Sequence, residues 1–128
     1  MKSVVLCGSK RFKTEALEFC QRLEEFGVIV HKPYFHTGKE EWDHLSDDYK
    51  KFIILGLTHD HLYKIKMADV VFIYNKDGYV GASVTLEIGA ATALGKPIYA
   101  LAPDEELCRQ VLFRGVISSP EELVKKLQ

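Results

Sequence analysis

The chain has 128 residues, 47% of them hydrophobic, with 17 basic side chains against 18 acidic ones and a formal net charge of −1. That length suits one domain around one filled core, residues 1–128, and no second domain is expected. The balanced charge, without a long run of either sign, argues against a nucleic-acid surface and for a small-molecule partner.

Residues 3–7 are short, apolar and rich in valine, and Gly8 punctuates them, as in a strand buried on both faces. From 12 to 26, Phe12, Ala16, Phe19, Leu23 and Phe26 recur at spacings of three and four before Gly27, the pattern of an amphipathic helix with a glycine beyond its end. Residues 28–32 read as a second strand that Pro33 stops, and 34–42 read as a loop. Between 45 and 67 a helical stripe of Leu45, Tyr49, Phe52, Ile53, Leu57, His61, Leu62 and Ile65 predicts one long helix, kinked or split at Gly56.

Residues 69–74 form a third buried strand, 75–81 a turn-rich loop, and 83–94 another helix with Ser83 placed as its cap. A fourth strand at 98–101, a short helix at 104–110 and a fifth strand within 111–117 follow. Ser119 and Pro120 then open the last helix as cap and first residue. Strands alternating with helices predict a doubly wound, parallel α/β sheet of four to five strands, flavodoxin- or Rossmann-like, in three α/β/α layers. Ligands of such sheets sit outside the carboxyl strand ends, which directs attention to the loops after strands one and three.

No apolar stretch approaches the roughly 18 residues that span a bilayer, and the first strand begins almost at Met1 without a basic leader, so a cytoplasmic protein without a membrane partner is expected. Cys7, Cys20 and Cys108 are odd in number, widely spaced and free of any C-x-x-C, which fits reduced thiols serving as core filler.

Gly8-Ser9-Lys10-Arg11 lies between a strand and a helix, where backbone N–H groups and the Arg11 fork suit an anion; it matches no dinucleotide or P-loop pattern, and a plain turn is the competing reading. In Gly78-Tyr79-Val80-Gly81-Ala82-Ser83, two glycines permit close backbone approach, and the Ser83 and Thr85 hydroxyls suit phosphate or sugar as well as ordinary capping. Glu87, four residues after Ser83, shares its helix face among packed neighbours. The helix dipole alone accounts for an acidic residue there, and it would keep the carboxylate ionised, as a nucleophile requires. His61 has an ordinary pKa suited to proton transfer. The trio His59-Asp60-His61 invites thoughts of a metal, but alternating helical residues point apart, so neither metal nor cofactor is expected.

Taken together, Cys7-Gly8-Ser9-Lys10-Arg11-Phe12, the segment from His61 to Asp69, and the segment from Gly78 to Ile88 with Ala93 to Pro97 resemble the nucleoside 2-deoxyribosyltransferase-like superfamily over roughly residues 3 to 101. The likeness is closest to a branch carrying G-S-x-R-F, H-x-x-K-I-x-x-A-D and G-Y-x-G-x-S-type segments. It implies cleavage or transfer at an N-glycosidic bond of a nucleoside or nucleoside monophosphate. Glu87 would be the nucleophile, and His61 the acid where other members carry an aspartate. Contacts to substrate would come from Gly8, Ser9, Arg11, Asp69, Gly78, Tyr79, Gly81, Ser83 and Thr85, in a homodimer or larger homo-oligomer. The Gly8 to Arg11 loop looks more like that of monophosphate hydrolases than of the transferases. A non-catalytic nucleotide-binding or sensing module of the same fold is the alternative.

Overall fold

The computed structural model describes residues 1–35 and 39–128. Strands β1 (Val4–Gly8), β2 (Val30–His31), β3 (Val70–Tyr74), β4 (Ile98–Ala100) and β5 (Gly115–Val116) form one sheet in the order β2-β1-β3-β4-β5. Every neighbouring pair is parallel, and the central pair is the longest, running from Val4 opposite Val70 to Gly8 opposite Tyr74. The helices are α1 (Lys13–Glu25), α2 (Lys39–Asp43), α3 (Asp47–Met67), α4 (Ala82–Ala93), α5 (Leu107–Gln110) and α6 (Pro120–Leu127). This is the predicted three-layer doubly wound architecture, with the reversal of strand order falling between β1 and β3.

Alternation along the strands builds two cores. Val4, Leu6, Val70 and Phe72 face α1 and α6, where they meet Phe19, Leu23, Leu123 and Leu127; the Phe19 and Phe72 rings stack at 4.8 Å. Val5, Cys7, Val71 and Ile73 face the other way, against Ile65 of α3 and Val84, Ile88 and Ala91 of α4. Cys7 therefore reaches the α3 and α4 layer because it stands two residues after Val5.

Several boundaries differ from the sequence reading. The second strand shrinks to two residues, as befits an edge strand with β1 as its one partner. The expected loop at 34–42 lies partly outside the described residues, and α2 begins within it at Lys39. Helix α3 runs unbroken through Gly56, where an added Cβ would meet nothing within 4 Å, so the residue costs only its weak helix propensity, about 1 kcal/mol. Most of the expected stripe is not core: Tyr49 and Phe52 are 53% and 71% exposed, and full burial is confined to His61 and Ile65. Helix α4 is capped by Gly81 rather than Ser83, because extended backbone at Gly81 (φ −88°, ψ −177°) starts the helix at Ala82 and puts Ser83 inside it.

Beyond β3 the chain is tied to the loop after β4 by Asn75, which is 1% exposed. Its side chain donates to the Ala102 carbonyl at 2.8 Å and accepts from the Ala102 N–H at 2.9 Å. Gly78 completes the turn at φ +78°, where a Cβ would come within 3.2 Å of the Pro103 carbonyl oxygen. Asn75→Ala strands both backbone groups of Ala102 and is expected to cost about 1–3 kcal/mol in urea denaturation, with the m-value unchanged.

Candidate functional site

Three elements deliver one cluster. Crossover helix α3 runs back along the sheet toward the start of β3, so His61, one turn before the buried Ile65, lies nearer the carboxyl strand ends. Helix α4 starts at those ends and carries Glu87 in its second turn. Cys7 is the penultimate residue of β1. The three meet: Cys7 Sγ lies 3.3 Å from His61 Nε2, and His61 Nε2 lies 3.4 Å from Glu87 Oε1. His61 Nδ1 is buried without a hydrogen-bond partner among the described residues.

Of the cluster, His61 and Glu87 line a cavity of about 570 Å³, large enough for a nucleoside-sized ligand, and Cys7 is not part of its wall. Gly8, Ser9, Gly81 and Ser83 line it with His61 and Glu87, so six of the residues singled out in the sequence come together. The rest do not. Arg11 lies over the Tyr79 ring at 3.7 Å, and Tyr79 in turn meets Phe12 edge-on, so neither is part of the cavity wall. Gly78 serves the turn described above. Thr85 donates back to the Gly81 carbonyl at 2.9 Å and receives Arg109 at 3.4 Å. Asp69 stands at the opposite, amino end of β3, where it accepts hydrogen bonds from the N–H and hydroxyl of Ser3.

The sequence reading missed Cys7 as anything but filler and passed over Lys10, the one lysine or arginine among the described lining residues. A lysine adjacent to Ser9 was visible as a signal. Cys7 was not, because its partners lie 54 and 80 positions away, and only the fold brings them close. Most of the remaining wall is apolar, with Leu57 and Leu62 from α3, Val84 and Leu86 from α4, and Tyr34 and Phe35 from the chain after β2.

Burial governs the electrostatics. It pushes the Glu87 carboxyl up from 4.5 to about 7, against a weaker downward pull from the Cys7 thiol that donates to it. This reverses the expectation that the helix dipole keeps Glu87 ionised: the dipole acts on the first turn, and desolvation at Glu87 outweighs it. Burial, reinforced by the Lys64 charge, lowers His61 from 6.5 to about 4. The Cys7 thiol is raised well above its ordinary value by burial and by the Glu87 charge. Glu87 and His61 thus hold one proton between them over the mildly acidic to neutral range.

These shifts oppose one another in stability. Glu87 binds its proton more tightly folded than unfolded, so its contribution is lost as pH rises from 4.5 through about 7. His61 binds its proton less tightly folded, so its contribution is lost as pH falls from 6.5 through about 4. Relative to the double variant His61→Gln/Glu87→Gln, His61→Gln alone should lose stability between pH 4.5 and 7, and Glu87→Gln alone should lose it on acidification from 6.5 to 4. Denaturation at a series of pH values reads both slopes, and parallel slopes for the two single variants would contradict the shared proton.

No family model and no curated protein sequence matches the chain. Among solved structures, the chain is similar to a 2-deoxyribosyltransferase from the psychrotolerant bacterium Bacillus psychrosaccharolyticus, with a TM-score of 0.60 at 20% identity over 94% of this chain and 89% of that one. It is equally similar to a conserved protein from Enterococcus faecalis V583, with a TM-score of 0.60 at 19% identity over 99% and 97% of the two chains. The chain therefore has a nucleoside 2-deoxyribosyltransferase-like fold.

Proposed function

We propose that the protein cleaves or transfers the N-glycosidic bond of a nucleoside or nucleoside monophosphate, with Glu87 as nucleophile and His61 as acid. The observation that carries this reading is the contact of 3.4 Å between a largely withdrawn carboxyl group and a buried imidazole in the wall of a nucleoside-sized cavity. Their single proton makes the two roles complementary. Its passage from Glu87 to His61 leaves a carboxylate facing the sugar and an imidazolium facing the departing base. Carboxylate attack on the anomeric carbon forms a glycosyl ester as the C–N bond breaks and His61 protonates the base; water or a second base then resolves the ester. The solved 2-deoxyribosyltransferase of the same fold supports the substrate class. Lys10, at the cavity rim with Ser9, takes the phosphate role that the sequence reading gave to Arg11.

Incubation with a panel of ribo- and deoxyribonucleosides and their 5′-monophosphates should release free base. Glu87→Ala should abolish release, and His61→Gln should lower it by roughly 10²–10⁴-fold. No release by the wild type, or equal release by Glu87→Ala, refutes the assignment. The pH profile separates the roles: with His61 as acid, kcat/KM falls above pH about 7 as the pair loses its proton, whereas a rate that rises there as Glu87 ionises would remove His61 from the reaction.

The second reading, a non-catalytic nucleotide-binding module, draws on the same raised Glu87 pKa, since a protonated carboxyl binds but does not attack. Tight binding without turnover, measured by calorimetry, would favour it. For the assembly we propose a homodimer or larger homo-oligomer through the exposed apolar side chains of α3 and α4, Phe52, Leu55 and Leu86, which are 71%, 58% and 68% exposed. Leu55→Glu should lower the mass seen in sedimentation, and an unchanged mass would place the contact elsewhere.

A further inference from the structure

We propose that Cys7 Sγ, His61 Nε2 and Glu87 Oε1 form a binding site for a divalent transition metal of the zinc class, with its fourth position open to the cavity. The donor atoms of the three side chains lie within 4.8 Å of one another, and all three side chains are largely withdrawn from solvent. A tetrahedral zinc ion separates a thiolate sulfur from an imidazole nitrogen by about 3.6 Å, and a nitrogen from a carboxylate oxygen by about 3.3 Å. The corresponding distances here are 3.3 and 3.4 Å. The two contacts made by His61 Nε2 thus already match a tetrahedral ion to within about 0.3 Å, and the third pair, Cys7 and Glu87, lies within 4.8 Å.

The donor set is selective. A thiolate, an imidazole and one carboxylate suit zinc, cobalt(II) or copper, and they disfavour magnesium and calcium, which want oxygen ligands. Charge favours occupancy too, because a thiolate and a carboxylate around a dication give a neutral buried centre. Uptake at neutral pH expels the thiol proton of Cys7 and the proton shared by Glu87 and His61, so affinity rises with pH. The open side faces the cavity, where water or a ligand heteroatom would complete the coordination. Metal bound at Oε1 withdraws electron density from the Glu87 carboxylate, so occupancy by the ion weakens it as a nucleophile. The site itself rests on the geometry alone and does not depend on the glycosidic reading.

Titration of the untagged, reduced protein with cobalt(II) in the absence of any nucleoside tests it. One ion per chain should bind with a thiolate-to-metal charge-transfer band in the near ultraviolet, and zinc should displace it. Cys7→Ser should abolish the band, while Cys108→Ser, which changes an exposed thiol, should keep it. His61→Gln and Glu87→Gln should each weaken zinc binding by at least about tenfold in competition with a chromophoric chelator. They carry the test independently should Cys7→Ser fail to fold. Absence of the band in the wild type, its loss in Cys108→Ser rather than Cys7→Ser, or undiminished zinc affinity in both His61→Gln and Glu87→Gln would overturn the proposal.

Discussion

The contact between Glu87 and His61 is the interaction on which the electrostatics of the cavity depend. Either group alone would be costly to bury in its charged form, because a low-dielectric surrounding penalises an isolated ion by several kcal/mol. Side by side at 3.4 Å they need carry no net charge, since one proton serves both. The same desolvation that raises the carboxyl to about 7 and lowers the imidazole to about 4 makes the pair a proton store adjustable by whatever enters the cavity.

The sheet supplies the rigidity that such a pair requires. Strands β1 and β3 pair over five residues at its centre and are buried on both faces, so the end of β1 is fixed where Cys7 meets the pair. Ile65 of α3 and Ile88 of α4, both within 1% of complete burial, anchor the two helices one turn and one residue away from His61 and Glu87. On the opposite face the aromatic cluster of Phe12, Phe19, Phe72 and Tyr74 holds α1. It also fixes the turn after β1, and through Tyr79 it draws the Arg11 guanidinium onto an aromatic face and away from the cavity. Lys10 is thereby left as the cation at the rim.

Where the sequence reading succeeded, local physics was sufficient. Short valine-rich runs followed by turn residues, Gly8 after the first and Asn75 to Gly78 after the third, announce buried parallel strands, and spacings of three and four announce α1. Ser119 with Pro120 marked the start of α6, and the Ser119 hydroxyl does accept from the Glu122 N–H at 3.2 Å. Where it failed, tertiary packing had outweighed a local preference. The α3 stripe is more exposed than its periodicity implied, because only its carboxyl-terminal part, with His61 and Ile65, is buried in the molecule. The cap lies two residues before Ser83, because the extended backbone at Gly81 starts the helix early.

The amino-acid sequence by itself determined the layered α/β class, the parallel sheet and the two helices that border the cavity, because strand alternation, helical spacing and turn chemistry are encoded within ten or so neighbouring residues. It also marked Glu87 and His61 as chemically unusual. Only the tertiary structure decided that they touch, that Cys7 completes the cluster, that Arg11 and Asp69 do not line the cavity, and which way each ionisation is pushed. Those outcomes depend on desolvation and on contacts between residues 26, 54 and 80 positions apart, which no local pattern carries.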